Sequence, residues 1–254
     1  MKHGMSIAWL ATLSVAALPA AWADDDKFSL ATGFDYSTGK YGTASTTDIL
    51  SIPVIGKYAT GSWVFKLTVP FIRISGTGEV VPGMGSIRAR GTTNKVQSGL
   101  GDIVAATSYN LYQDSASTLG IDLTGKIKFA TADAGLGSGA NDYAAQMDAY
   151  KRLDKFTAMG SLGIKVLGSP AGTTLDPVLY GSLGGVFQFT HQTRGGLDMS
   201  IVQPPSTTIA GQQELTAYAI YQIDEHLKAQ GYVLKGFADG SPDVGVGALV
   251  SYGF

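Results

Sequence analysis

Apolar and polar residues alternate along most of the chain, and this period of two predicts β-strands. The segment 118–130 shows the pattern most clearly. One face carries Leu119, Ile121, Leu123, Ile127 and Phe129, and the other carries Thr118, Asp122, Thr124, Lys126 and Lys128. A helix would distribute these residues around its circumference, whereas a strand separates them into two faces. We therefore predict strands with one apolar face and one polar face.

About twelve segments show this alternation, and each is long enough for a tilted membrane-spanning strand of about 9–11 residues. They are 27–37, 47–59, 63–75, 99–112, 118–130, 142–153, 155–168, 178–190, 194–203, 212–223, 227–237 and 243–254. Short and long connections alternate between them, which is typical of outer-membrane barrels. The pattern is mixed in 194–203 and 227–237, so ten or fourteen strands remain alternatives.

The beginning of the chain predicts export. Lys2 precedes an apolar run from Ile7 to Ala21, and Ala21-Trp22-Ala23 has the small-x-small form of a cleavage site. We predict a signal peptide over 1–23 and a single domain over 24–254. The alternative is an N-terminal anchor, for which the apolar run is short.

No later segment is long and apolar enough for a spanning helix. Only helices and closed barrels satisfy every backbone group in hydrocarbon. The predicted fold is therefore all-β, a transmembrane antiparallel up-and-down β-barrel of about twelve strands in the bacterial outer membrane. Its expected partners are membrane lipid and the barrel-assembly machinery. The final strand, with Val250, Tyr252 and the terminal Phe254 on its apolar face, resembles the signal which that machinery reads.

Composition excludes several classes of function. The chain has no cysteine, so it has neither disulfides nor thiolate metal sites, and its 18 basic and 20 acidic residues include no basic block that would suggest nucleic acid. Gly120–Lys126 matches seven positions of a phosphate-binding loop, but it lies inside the clearest strand and Ile127 replaces the required hydroxyl residue. We expect no cofactor.

Catalysis and metal binding are also poorly supported. The histidines after residue 23 are His191 and His226, and both fall in predicted short turns on separate hairpins. A hydrolase in a barrel would need its base near the outer rim beside a nucleophile or paired carboxylates. We therefore predict no catalytic residues, no metal ligands and no enzyme activity.

The inward-facing positions carry charges of both signs. The predicted pore-lining residues are Lys66, Asp122, Lys126, Lys128, Asp148, Arg152, Lys165, Arg194, Asp198 and Glu214; Asp35, Lys57, Asp102 and Lys228 share the same face. These side chains either fill the interior with ion pairs or line a narrow aqueous path. About twelve strands should enclose more space than side chains can fill, so we favour the path.

Four stretches resemble a family of outer-membrane transporters named for the meta-cleavage pathway of phenol degradation. They are SGLGDIV at Ser98–Val104, LTGKIKF at Leu123–Phe129, GSGANDYAAQMD at Gly137–Asp148 and LKGFADGSPDVGVG at Leu234–Gly247. The resemblance covers most of the chain after the signal segment, and its motifs are strand, turn and loop motifs. It implies an outer-membrane protein that helps aromatic or other hydrophobic compounds to enter.

Two functions are therefore compared. The first is a passive outer-membrane channel or transporter for a small solute. The second is a structural or interaction barrel with a closed lumen, whose loops act at the cell surface. An enzyme is a distant third.

Overall fold

The computed structural model describes residues 27–76, 80–82, 85–86, 95–114, 118–169 and 174–254, and these form fifteen strands. The strands are β1 (Lys27–Gly39), β2 (Thr47–Thr60), β3 (Trp63–Gly76), β4 (Val80–Val81), β5 (Gly85–Ser86), β6 (Lys95–Leu100), β7 (Val104–Asp114), β8 (Leu119–Lys128), β9 (Asp142–Leu153), β10 (Phe156–Val166), β11 (Val178–Gln188), β12 (Thr193–Val202), β13 (Gln212–Gln222), β14 (Leu227–Gly236) and β15 (Val244–Gly253). No helix in these ranges is long and apolar enough to cross a membrane.

The wall is a closed antiparallel barrel. Each wall strand pairs with its neighbours in the chain, and β15 pairs with β1 from Ser29 opposite Gly253 to Thr38 opposite Val244. The strands β6 and β7 run one after the other along β3, so together they occupy one place in the wall. The short strands β4 and β5 pair only with each other. The wall therefore has twelve places, which confirms the predicted fold class and strand number.

The two segments with a mixed pattern are both strands, β12 and β14. Segment 99–112 differs from the prediction, because residues 101–103 interrupt it. At this interruption two backbone N–H groups donate to side chains and not to a neighbouring strand. The N–H of Leu100 donates to Asp133 Oδ2 at 2.8 Å, and the N–H of Ile103 donates to Thr131 Oγ1 at 2.9 Å. Both acceptors lie in the loop after β8. This loop thus replaces the strand partner that β6 lacks on that side.

The two faces of the wall are those that the alternation predicts. The outer face is apolar and exposed, with Leu183 74% and Leu123 49% accessible. The inner face is buried, with Asp122 2% and Thr68 0% accessible. The lipid-facing band of an outer-membrane barrel has this outward character.

The two ends of the barrel also differ. Both described termini and the short turns lie at one end, here called the turn end; the long connections lie at the other, here called the loop end. Aromatic side chains contact one another on the outside at the turn end. The ring centroids of Trp63 and Tyr109 are 4.7 Å apart, and those of Phe28 and Phe254 are 5.5 Å apart. Such rings are typical of an interface girdle.

Candidate functional site: the barrel lumen

The ten predicted pore-lining residues all lie on inward-facing positions of β3, β8, β9, β10, β12 and β13. Asp122, Asp148, Asp198 and Glu214 are buried, and the basic residues except Arg152 are half-buried. Arg152 is exposed because it lies one residue from the turn-end limit of β9. The other nine side chains face the enclosed interior.

Strand register places four lysines in one line across the wall, here called the lysine row. Lys57 on β2 is directly opposite Lys66 on β3. Ala106 of β7 lies between Lys66 and Lys126, and Ala144 of β9 lies between Lys126 and Lys165. The row therefore crosses six consecutive places in the wall. Sequence parity identified the inward face of these lysines, but their common line depends on which residues pair across strands.

A second line carries carboxylates and hydroxyls, and we call it the acidic row. Asp122 on β8 is directly opposite Asp148 on β9. The line continues through Ser161, Ser182, Ser200 and Glu214. On β8 the two rows are four residues apart, about 13 Å along the strand. Charges of opposite sign are thus largely separated on the inner wall.

Local hydrogen bonds hold the acidic row. Asn110 Nδ2 donates to Asp122 Oδ1 at 2.6 Å, and the Gln146 amide donates to Asp148. The carbonyl oxygen of Gln146 accepts from Lys126 Nζ at 2.6 Å and from the Tyr180 hydroxyl at 3.1 Å. Gln146 therefore lies between the two rows and contacts both.

Four inward tyrosines each lie over a glycine directly opposite on the next strand. The pairs are Tyr150 with Gly120, Tyr180 with Gly163, Tyr218 with Gly196 and Tyr232 with Gly247. A Cβ added to any of these glycines would meet the tyrosine ring. The rings therefore need glycine opposite, an arrangement similar to the aromatic cover of glycines in other sheets.

The arc of wall from β9 to β14 carries an apolar patch, here called the inner apolar cluster. Its members are Tyr150, Met159, Val186, Tyr218, Ile220 and Tyr232. The middle of this arc lies across the lumen from β2 and β3, which carry two of the four lysines of the lysine row. The enclosed surface is therefore amphipathic.

At the loop end, side chains from the long connections pack inside the rim in two buried clusters. Leu136 and Tyr41 contact the inward-facing Ile49, Ile72 and Ile74, together with Val80 of β4. On the other side, Ile209, Leu167 and Leu175 pack with Val81 and with Val178 of β11. The connections thus cover the loop end with apolar side chains.

Lys128 holds one of these connections in place. Its Nζ lies 2.9 Å from Asp102 Oδ2 and 3.3 Å from Asp142 Oδ2, and it donates to Ser138 Oγ at 2.7 Å. Asp102 Oδ1 also accepts from the backbone N–H of Ala132 at 3.0 Å. Lys128 therefore stabilises the connection 129–141, a role that its position in the sequence did not indicate.

The histidines lie in short turns, as expected. The Nδ1 atom of His226 is 2.8 Å from the carbonyl oxygen of Gly253. In the same turn the backbone N–H groups of His226 and Leu227 donate to Asp224 and lower the pKa of its carboxyl group. Within the described ranges no three His, Asp or Glu side chains are grouped to hold a metal ion.

Comparison with solved structures shows the same barrel type. An alignment with the COG4313 outer membrane channel from Pseudomonas putida F1 covers 92% of this chain and 97% of that one, with a TM-score of 0.69 and 13% identity. An alignment with a KdgM porin covers 89% of this chain and 99% of that one, with a TM-score of 0.52 and 12% identity. An alignment with the β domain of the Bordetella autotransporter BrkA covers 91% of this chain and 100% of that one, with a TM-score of 0.53 and 13% identity. No family model matches the chain, and no similar curated protein sequence was found.

Proposed function

We propose that this protein is a passive channel of the bacterial outer membrane for small solutes, including aromatic or hydrophobic ones. The observation that carries the proposal is a closed barrel with an apolar outer wall and a lumen lined by charged rows. A barrel of twelve wall strands is wider than the roughly eight-stranded size that side chains just fill. The names of two similar barrels, an outer membrane channel and a porin, support the same function.

The proposal includes membership in the transporter family that four stretches of the sequence resemble. It also names the partners: outer-membrane lipid around the wall, the barrel-assembly machinery at β15 and a small solute in the lumen. It assigns no catalytic role to any residue.

A second candidate is a barrel with a closed lumen that acts as a structural element. The two apolar clusters at the loop end favour it, because they cover that end of the barrel. The two candidates differ in whether a solute can pass.

Swelling of lipid vesicles that contain the folded protein distinguishes them. We expect arabinose to enter vesicles with the wild-type barrel. The variant Leu136→Asn should increase the rate, because it places a polar group in the apolar cover. Ala134→Asn is the matched control, since Ala134 is exposed in the same connection. If neither the wild type nor Leu136→Asn admits arabinose, the closed barrel is correct.

A further inference from the structure

We propose that the lysine row is a track for anions and that the channel selects small aromatic carboxylates. This inference rests on the proposed channel function and names its substrate class. It starts from two lysines that lie directly opposite each other on neighbouring strands, an arrangement that strand pairing alone does not favour.

Lys57 and Lys66 are directly opposite each other on adjacent antiparallel strands, with both side chains inward. Like charges in this position destabilise a sheet. Among the described residues, no carboxylate lies within ion-pairing distance of either side chain, whereas Lys128 has two such partners. A departure from local rules of this kind is expected at functional sites. The group that would compensate two adjacent ammonium ions is an anion in the lumen.

The row also has the spacing of a track. Ala106 and Ala144 are the short inward side chains between successive lysines, so they leave room beside the wall. Neighbouring strands are about 4.8 Å apart, which puts lysines two strands apart at a backbone separation of about 10 Å. Lysine side chains are long enough for a carboxylate to pass from one ammonium group to the next.

The track extends along most of the barrel. Lys57 is three residues from the turn-end limit of β2, and Lys165 is one residue from the loop-end limit of β10. Strand tilt gives a line across the strands its rise along the barrel axis. Successive lysines interact electrostatically, Lys66 with both Lys57 and Lys126, and Lys126 with Lys165.

The turn end of the track has further positive charge, whereas the extra lysine at the loop end, Lys128, is paired with Asp102 and Asp142. At the turn end, Lys228 interacts electrostatically with Lys57 and with Arg194. At the loop end, Lys165 interacts with Lys128 and with the carboxylate of Asp142. Lys165 also lines a cavity of about 20 Å³ with Leu167 and Val178. Asp148 opposes the central part of the row, since it interacts electrostatically with both Lys66 and Lys126, and its carboxylate accepts a hydrogen bond from the Gln146 amide.

Aromatic surface accompanies the charge. The Nζ atom of Lys126 lies 6.0 Å from the centre of the Tyr180 ring, and the inner apolar cluster begins on strands that the row crosses, with Tyr150 on β9 and Met159 on β10. A solute that carries one carboxylate and one aromatic ring can contact lysine with its charged end and tyrosine with its ring. Benzoate is the simplest such solute.

Single-channel recording across a gradient of potassium benzoate tests the track. For the wild type we expect benzoate to permeate about tenfold better than potassium, because the line of lysines concentrates anions along its side of the lumen. The double variant Lys57→Gln/Lys66→Gln should bring this ratio near one. Lys155→Gln removes the same charge from an exposed turn and should leave the ratio unchanged. A heat-dependent shift in gel mobility verifies that each variant is folded.

Arabinose swelling with the same preparations separates the two proposals. If arabinose enters but the wild-type ratio is near one, or if the double variant matches the wild type, the anion track is wrong and the channel remains. If neither arabinose nor ions pass, both are wrong.

Discussion

At the scale of single residues, the paired tyrosines and glycines shape the inner wall. Each ring needs a neighbour without a side chain, so these glycines are required for packing and not for backbone freedom. Gly247 shows the requirement clearly, as Gly120 does, because the three atoms nearest to an added Cβ all belong to the side chain of the tyrosine opposite. The hydroxyl of Tyr232 in turn donates to Asp35. The pair therefore also positions a lumen carboxylate.

Gly247→Ala should lower the free energy of unfolding by about 1–3 kcal/mol, the usual cost of overpacking. Gly231→Ala is the matched control on the neighbouring strand, since its new methyl group would lie no nearer than 3.9 Å to any other atom. Urea unfolding in lipid vesicles, followed through the fluorescence of Trp63, measures both. Equal effects of the two substitutions would show that the Tyr232 ring does not require glycine at position 247.

At the scale of elements, the seam between β15 and β1 closes the barrel. Its outward side chains include Val250, Tyr252 and Phe254, all of which are exposed, as the terminal pattern predicted. The backbone N–H of Phe254 donates to the carbonyl oxygen of Phe28 at 2.9 Å, and its ring lies 5.1 Å from that of Tyr252. The terminal residue thus joins the seam through both its backbone and its ring. Recognition of this strand during assembly stays a prediction.

Deletion of Phe254 should reduce the amount of folded barrel in the outer membrane of expressing cells several-fold. The purified variant should still fold in vesicles, because the ten register pairs from Ser29 to Thr38 remain. Phe254→Tyr keeps an aromatic terminus and serves as the control. Heat-dependent gel mobility of membrane fractions measures the folded amount. A normal amount of folded protein after deletion would contradict the role of the terminal aromatic.

At the scale of the whole molecule, the barrel combines an apolar exterior, separated charges inside and an apolar cover at the loop end. The apolar exterior matches a lipid environment, and the separated charges inside are the basis of the proposed anion track. The apolar cover is the feature that favours the alternative of a closed lumen.

The location follows from the same arrangement. We expect the mature protein to begin at Asp24 and to sediment with the outer membrane in a density gradient. The predicted signal segment lies outside the described residues, so mass spectrometry of the intact membrane-extracted protein measures the start. Recovery with the inner membrane, or a chain that retains Met1, would support the alternative of an N-terminal anchor.

The sequence by itself determined the strands, their faces and the closed barrel. The period of two is a local property, and segment 142–153 coincides with β9 because its alternation needs no information about neighbours. The same parity placed Lys66, Asp122 and Lys126 inside. A one-residue shift in the predicted alternation would have placed each of these side chains on the lipid face.

The tertiary structure alone decided how these residues are combined. The lysine row depends on the register of six places in the wall. The ion pairs of Lys128 and the interruption at 101–103 depend on a connection that meets its partners only after folding. Such contacts join residues more than ten positions apart, and the hydrophobic pattern carries no signal for them. Periodicity therefore specifies which way a side chain faces, whereas strand pairing and loop packing specify what it meets.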